Sequence, residues 1–165
     1  MKRHELVHYL NTALGGGEAK YALIGDGVAS ATEEFNPEEE TNHWINQISG
    51  STDLKSYTPS MEIERKDCVD DDMQEFINKL EDELPTGGEA TTDYVRLRLK
   101  DKIVGADGKY VAYRRACTVM AVNTGGDAGD YNTDSIKIGG KGDSVKGYFD
   151  VKTKTFTEGE YSAGA

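Results

Sequence analysis

The chain has 165 residues and a formal charge of −11, set by 30 acidic against 19 basic residues, with 8% aromatics, 19 Gly and only 3 Pro. That length suits a single domain, residues 1–165, able to bury a sizeable core, and the balance points to an ordered, turn-rich protein. The acid excess excludes broad adhesion to nucleic acid, which needs clustered Lys and Arg. No apolar run approaches the ~20 residues of a membrane span, and no apolar stretch follows Met1-Lys2-Arg3 as in a signal peptide. A cytoplasmic origin is expected, with Cys68 and Cys117 as free thiols.

In chain order, residues 4–8 read H-E-L-V-H, the zinc-peptidase pattern in which His4 and His8 hold a metal and Glu5 activates water. The motif sits at the fraying end of the chain, and Gly15-Gly16-Gly17 ends any helix carrying it. The remaining histidine, His43, or an unidentified glutamate has to supply a third ligand. A solvated N-terminal segment (1–17) whose Leu6, Val7 and Leu10 pack on neighbouring structure is expected instead. A-L-I-G-D-G-V then places a hairpin turn at Asp26-Gly27. Gly25-Asp26-Gly27 begins a nucleotide-binding G-x-G but runs into a strand, not a helix.

Residues 36–56, N-P-E-E-E-T-N-H-W-I-N-Q-I-S-G-S-T-D-L-K-S, lack strand alternation and predict a long loop. Trp44, Ile45 and Ile48 within it are costly to leave in water; they either fold back onto their own core or, as is favoured here, dock on another subunit. M-E-I-E-R sets Met61 and Ile63 against Glu62 and Glu64, as in a half-buried strand. Residues 70–84 form the one clear helix: Met73, Phe76, Ile77, Leu80 and Leu84 make an apolar stripe, aspartates lead it and Pro85 stops it.

Y-V-R-L-R-L-K alternates again, with Val95, Leu97 and Leu99 opposite Arg96, Arg98 and Lys100. Asp107-Gly108 is a hairpin turn, and residues 110–122 are apolar on both faces, hence central in a sheet or in an interface. The acidic, Gly-rich residues 123–134 hint at calcium without EF-hand spacing, so an ordinary loop is expected. Ile136 and Ile138 flank Lys137; Gly139-Gly140-Lys141-Gly142 predicts a turn and lacks the Ser or Thr of a phosphate loop; Val145, Gly147, Phe149 and Val151 alternate beyond it. No nucleophile–base pair, metal set or cofactor motif survives, so no enzyme is expected. These elements compose a mainly β fold: an antiparallel β-sandwich or barrel of about eight strands with one flanking helix. Residues 158–165 are left as a flexible C-terminal tail.

Taken together, M-K-R-H-E-L-V-H-Y-L-N, A-L-I-G-D-G-V, E-E-F-N-P-E-E-E-T-N-H-W-I-N leading into S-Y-T-P-S-M-E-I-E, the acidic helix, Y-V-A-Y-R-R-A-C-T-V and V-K-G-Y-F-D-V-K-T-K-T-F-T resemble the major tail (tail-tube) proteins of long, flexible-tailed bacteriophages. The likeness lies in their order and spacing, from Met1 to about Thr157. It implies a fold shared with type VI secretion tube proteins, hexameric rings stacked into a hollow tube that conducts viral DNA into the host, and no chemistry. It further implies residence in the virion and partnership with itself and with the phage's tail-tip, tape-measure and tail-terminator proteins, without membrane or cofactor. Leu6, Leu10, Phe35, Trp44, Ile45, Ile48, Tyr57 and Phe156 are then the candidates for contact between subunits. Glu33, Glu34, Glu62 and Glu64 are candidates for a lumen wall that repels phosphates over about 8 Å at physiological salt. The alternatives are a small ligand- or calcium-binding β-domain and, with least support, the zinc peptidase.

Overall fold

The computed structural model describes residues 1–164; Ala165, the end of the expected tail, lies outside the described residues. A short 3₁₀ turn, Arg3–Glu5, leads into strand β1 (Leu6–Asn11), followed by β2 (Tyr21–Leu23), β3 (Val28–Glu34), β4 (Pro37–Asn42), β5 (Ser51–Tyr57) and β6 (Ser60–Lys66). Helix α1 (Asp72–Glu83) precedes β7 (Thr91–Lys102), β8 (Lys109–Gly125), β9 (Thr133–Asp150) and β10 (Thr155–Glu158). Eight strands form one antiparallel sheet in the order β2-β1-β7-β8-β9-β6-β3, with β10 also on β9, while β4 and β5 pair only with each other.

Two of these elements differ from what local pattern predicts. Residues 139–142 make no turn, because β9 runs straight through them as an 18-residue strand. Gly139 and Gly140 stay in register with Thr118 and Cys117 of β8, next to the register shift between the Arg114↔Val145 and Ala116↔Lys141 pairs. A side chain at Gly140 would come within 2.8 Å of the Pro59 carbonyl oxygen, so glycine here permits a close approach where the sheet bends. Nor is the N-terminal segment solvated throughout: residues 1–4 and 15–17 are exposed, whereas Leu10 packs as expected. β1 pairs with β2 along one edge and β7 along the other, and His8, Tyr9, Leu10 and Asn11 are all buried.

The bend splits the interior in two. One core gathers Leu10, Met61, Ile63, Tyr94, Cys117, Val119, Ile136 and Ile138 under α1, which contributes Met73, Phe76, Ile77 and Leu80. The second lies within the curl, where Phe149 meets Tyr9 (ring centroids 4.4 Å apart) and Tyr21 (5.5 Å), beside Val95, Leu97 and Ala112. β8 is therefore central, which explains its apolar residues on both faces. Helix α1 starts where the Asp71 side chain accepts a bond from Gln74 N at 2.9 Å. It ends at Leu84, whose left-handed backbone (φ 44) turns that side chain out to solvent instead of into the stripe.

The helix–sheet contact is also polar. The buried Arg65 pairs with Asp71 at 2.7 Å, and the buried Asp134 accepts from Gln74 Nε2 at 2.9 Å and Thr124 Oγ1 at 2.7 Å. Glu81 faces Asp134 there. Burial first, and then that neighbouring carboxylate, push the Glu81 carboxyl up to about 6. Cys68 is exposed and Cys117 buried, both free; burial pushes the Cys117 thiol up to about 12. The last described residues lie back on the sheet, with Tyr161 edge-on to Tyr148 and Gly164 N donating to Lys102 O at 3.0 Å.

Candidate assembly surface

Pro37 and Tyr57 begin and close a ladder that runs through Glu40↔Asp53 to Asn42↔Ser51, so the stretch expected to be a bare loop is a two-stranded arm. Its root is pinned: Asn36, with left-handed φ of 46, donates through Nδ2 to Thr58 O and Ser60 Oγ, both at 3.0 Å. Asn is one of the few residues that tolerate this backbone region. At the tip, Gln47 N donates to Trp44 O (3.0 Å), and the turn throws Trp44 (59% exposed), Ile45 (109%) and Ile48 (104%) into solvent. Leu54 and Tyr57 on β5 are exposed as well.

A lone two-stranded ribbon is marginally stable in water, and clustered exposed apolar groups mark an interaction surface. Each of these side chains gains ~1.5–3 kcal/mol when fully covered. Leu54 escaped sequence analysis because a strand open on both faces has no apolar alternation to reveal it. Val122 and Tyr131 are exposed at the other end of the molecule, around the β8–β9 turn.

The remaining contact candidates divide. Leu10 is fully buried and Phe156 packs on the second core, where the Arg114 guanidinium lies 4.9 Å from its ring. Leu10 is therefore withdrawn as a surface contact. Leu6 is half-buried, and Phe35, at the root of the arm, is exposed under the Arg96 guanidinium (5.6 Å).

Of the four proposed wall carboxylates, Glu33 is a correction. It opposes Met61 across the β3–β6 ladder and so points inward, with its side chain only 8% exposed. It accepts from Tyr94 OH (2.9 Å) and Arg96 Nη1 (3.3 Å) and meets His8 Nε2 at 3.3 Å. Burial alone raises such a carboxyl, but the His8 hydrogen bond and the Arg96 charge outweigh it and hold Glu33 at about 2. Glu34, Glu62 and Glu64 stay exposed on the opposite face, Glu62 within 3.9 Å of Lys137.

Among the described residues no three His, Cys, Asp or Glu side chains converge as metal ligands. The 3₁₀ turn and strand also keep His4 and His8 off a common helical face. No helix among the described residues is long and apolar enough to cross a membrane.

No family model matches the sequence, and no curated protein matches it. Two solved structures share the architecture over almost their whole length. A chain in the tail of an empty gene transfer agent particle, refined helically with C6 symmetry, has 12% identity and a TM-score of 0.61, covering 95% of this chain and 98% of that one. A chain in the virion of a native gene transfer agent particle has 11% identity and a TM-score of 0.57 over the same shares. At these identities the likeness establishes the fold, which this chain shares with those tail and virion chains.

Proposed function

We propose that this chain is a structural subunit of a phage-type tail tube. Copies close into hexameric rings, rings stack into a hollow tube, and viral DNA passes through without specific binding. The carrying observation is the β4–β5 arm, which is hydrogen-bonded to no other strand and ends in exposed Trp44, Ile45 and Ile48. The end-to-end fold likeness to chains of assembled tails supports the same conclusion.

Covering three tip side chains yields at most ~5–9 kcal/mol, against an association cost of roughly 4–15 kcal/mol. One arm contact therefore leaves little or no surplus by itself, whereas a closed ring on a growing tube makes many at once. Assembly should be cooperative and nucleated, as expected for a subunit that elongates from a tail-tip complex along a tape-measure protein to a terminator. Glu34, Glu62 and Glu64 remain the wall carboxylates of this scheme, and the subunit's place is the virion tail, built in the host cytoplasm.

Negative-stain electron microscopy of dilute and concentrated protein tests the proposal. Rings or tubes should appear above a sharp concentration threshold. Single particles at every concentration, with or without a preformed tail tip, would overturn it.

A further inference from the structure

β2 and β3 are consecutive in the chain but do not pair. The chain turns at residues 25–27, with Val28 N donating to Gly25 O at 3.0 Å, and β3 departs to join β6. β2 reaches only the Tyr9, Leu10 and Asn11 portion of β1. The expected A-L-I-G-D-G-V hairpin is thus a turn between diverging strands. It leaves a seam between β1 and β3 that no backbone ladder closes.

Within the seam is a hollow of about 690 Å³ walled by Leu6, Val7, Leu23, Val28 and Ala29. Arg3 spans it, donating to Leu6 O on β1 (2.7 Å) and Ala31 O on β3 (2.9 Å). Past Arg3 a second hollow of about 340 Å³ reaches Arg98 and Phe35. Arg3, Arg96 and Arg98 line it beside Glu33; Arg96 pairs with Glu33 and Arg98 with Asp101, whereas among the described residues Arg3 has no carboxylate within ion-pair distance.

We infer that this seam is the receptor for the arm of a second copy, an inference that rests on the self-assembly proposed above. The two surfaces are complementary in character. The arm ends in Trp44, Ile45 and Ile48, and the hollow is walled largely by aliphatic side chains, with Arg3, His4, Ser30 and Thr32 among them. Exposed Glu38 and Glu39 on β4 are opposite in charge to Arg3, which lines both hollows. The open edge of β3 is an unprotected strand edge of the kind that soluble proteins cover. Tip and hollow occupy different places on one molecule, so the contact is heterologous: each copy inserts its arm into the next and receives another, and the contact closes a ring or propagates a stack.

Cysteine pairing tests this in a Cys68→Ser background, where only the buried Cys117 remains. One protein carries Ile48→Cys at the tip and another Ala29→Cys in the seam; both positions are exposed, so folding is preserved. Mixed at polymer-forming concentration and oxidised, the pair should form the hetero-disulfide at least tenfold faster than Ile48→Cys with Glu75→Cys, on the outer face of α1. The emission of Trp44, the sole tryptophan, should shift to the blue on assembly. Arg3→Glu should raise the assembly threshold, and Glu39→Lys should lower it again. Polymers that form with no preference for Ala29→Cys over the control would overturn the seam and leave the tube standing. Preferential cross-linking without any polymer would uphold the seam and overturn the tube, and neither polymer nor preference would overturn both.

Discussion

β5 and β6 lie two residues apart, and the same local geometry gives them opposite fates. β6 is paired on both edges and covered on one face, so Met61, Ile63 and Arg65 disappear while Glu62 and Glu64 face water. β5 has one partner and no cover, and Leu54 and Tyr57 stand open beside the tip residues. In the body, apolar burial holds the fold together. In the arm the same kinds of side chain add nothing to the monomer and are available only to a partner. Stability and recognition are thus written into different strands and should fail independently.

The largest expected effect separates them directly. Ile77→Ala, at a fully buried position in α1, should cost about 3 kcal/mol in urea denaturation, whereas Ile48→Ser should change stability by less than about 0.5 kcal/mol. Equal losses would mean that the arm packs on its own body. Next is Glu33→Gln, which leaves His8, Arg96 and Tyr94 facing an uncharged amide and should cost about 3 kcal/mol at neutral pH. Glu33 has a depressed pKa, so its contribution is complete above its ordinary value of 4.5 and is lost as pH falls toward about 2. Acid titration of stability should accordingly be flatter in the variant over that window.

Glu81 runs the other way and more weakly. With its carboxyl raised from 4.5 to about 6, its contribution is complete below pH 4.5 and lost as pH rises through about 6. Glu81→Gln should remove that decline, as followed by thermal melts between pH 4 and 7. An unchanged slope would place Glu81 away from Asp134.

How legible this was in the sequence depended on whether a residue's role was local. The stripe of α1, the Asp107-Gly108 turn and the alternation of β6 and β7 could be read directly, because period and turn chemistry are properties of neighbouring residues. β4 and β5 could not, since a strand wet on both faces has no period-two apolar signal. Gly139 and Gly140 have the composition of a turn, and only the approach of Pro59 from a distant segment shows why they sit within a strand. Glu33 and Glu34 are indistinguishable in sequence. That Glu33 turns inward is fixed by the β3–β6 register and by partners on β1 and β7. Trp44, Ile45 and Ile48 stood out because large apolar groups in a polar stretch require an explanation, but their receptor arises from a strand that departs from its expected hairpin partner.

The central claim is that the arm's apolar tip serves assembly and not the fold. Sedimentation velocity across a concentration series, run on the native chain and on an Ile45→Ser/Ile48→Ser variant with thermal melts of both, tests it most directly. The native chain should form concentration-dependent polymers, the variant should stay monomeric, and the two melting curves should coincide. A variant that polymerises like the native chain, or that melts well below it, would show that the tip serves the fold or plays no part in assembly.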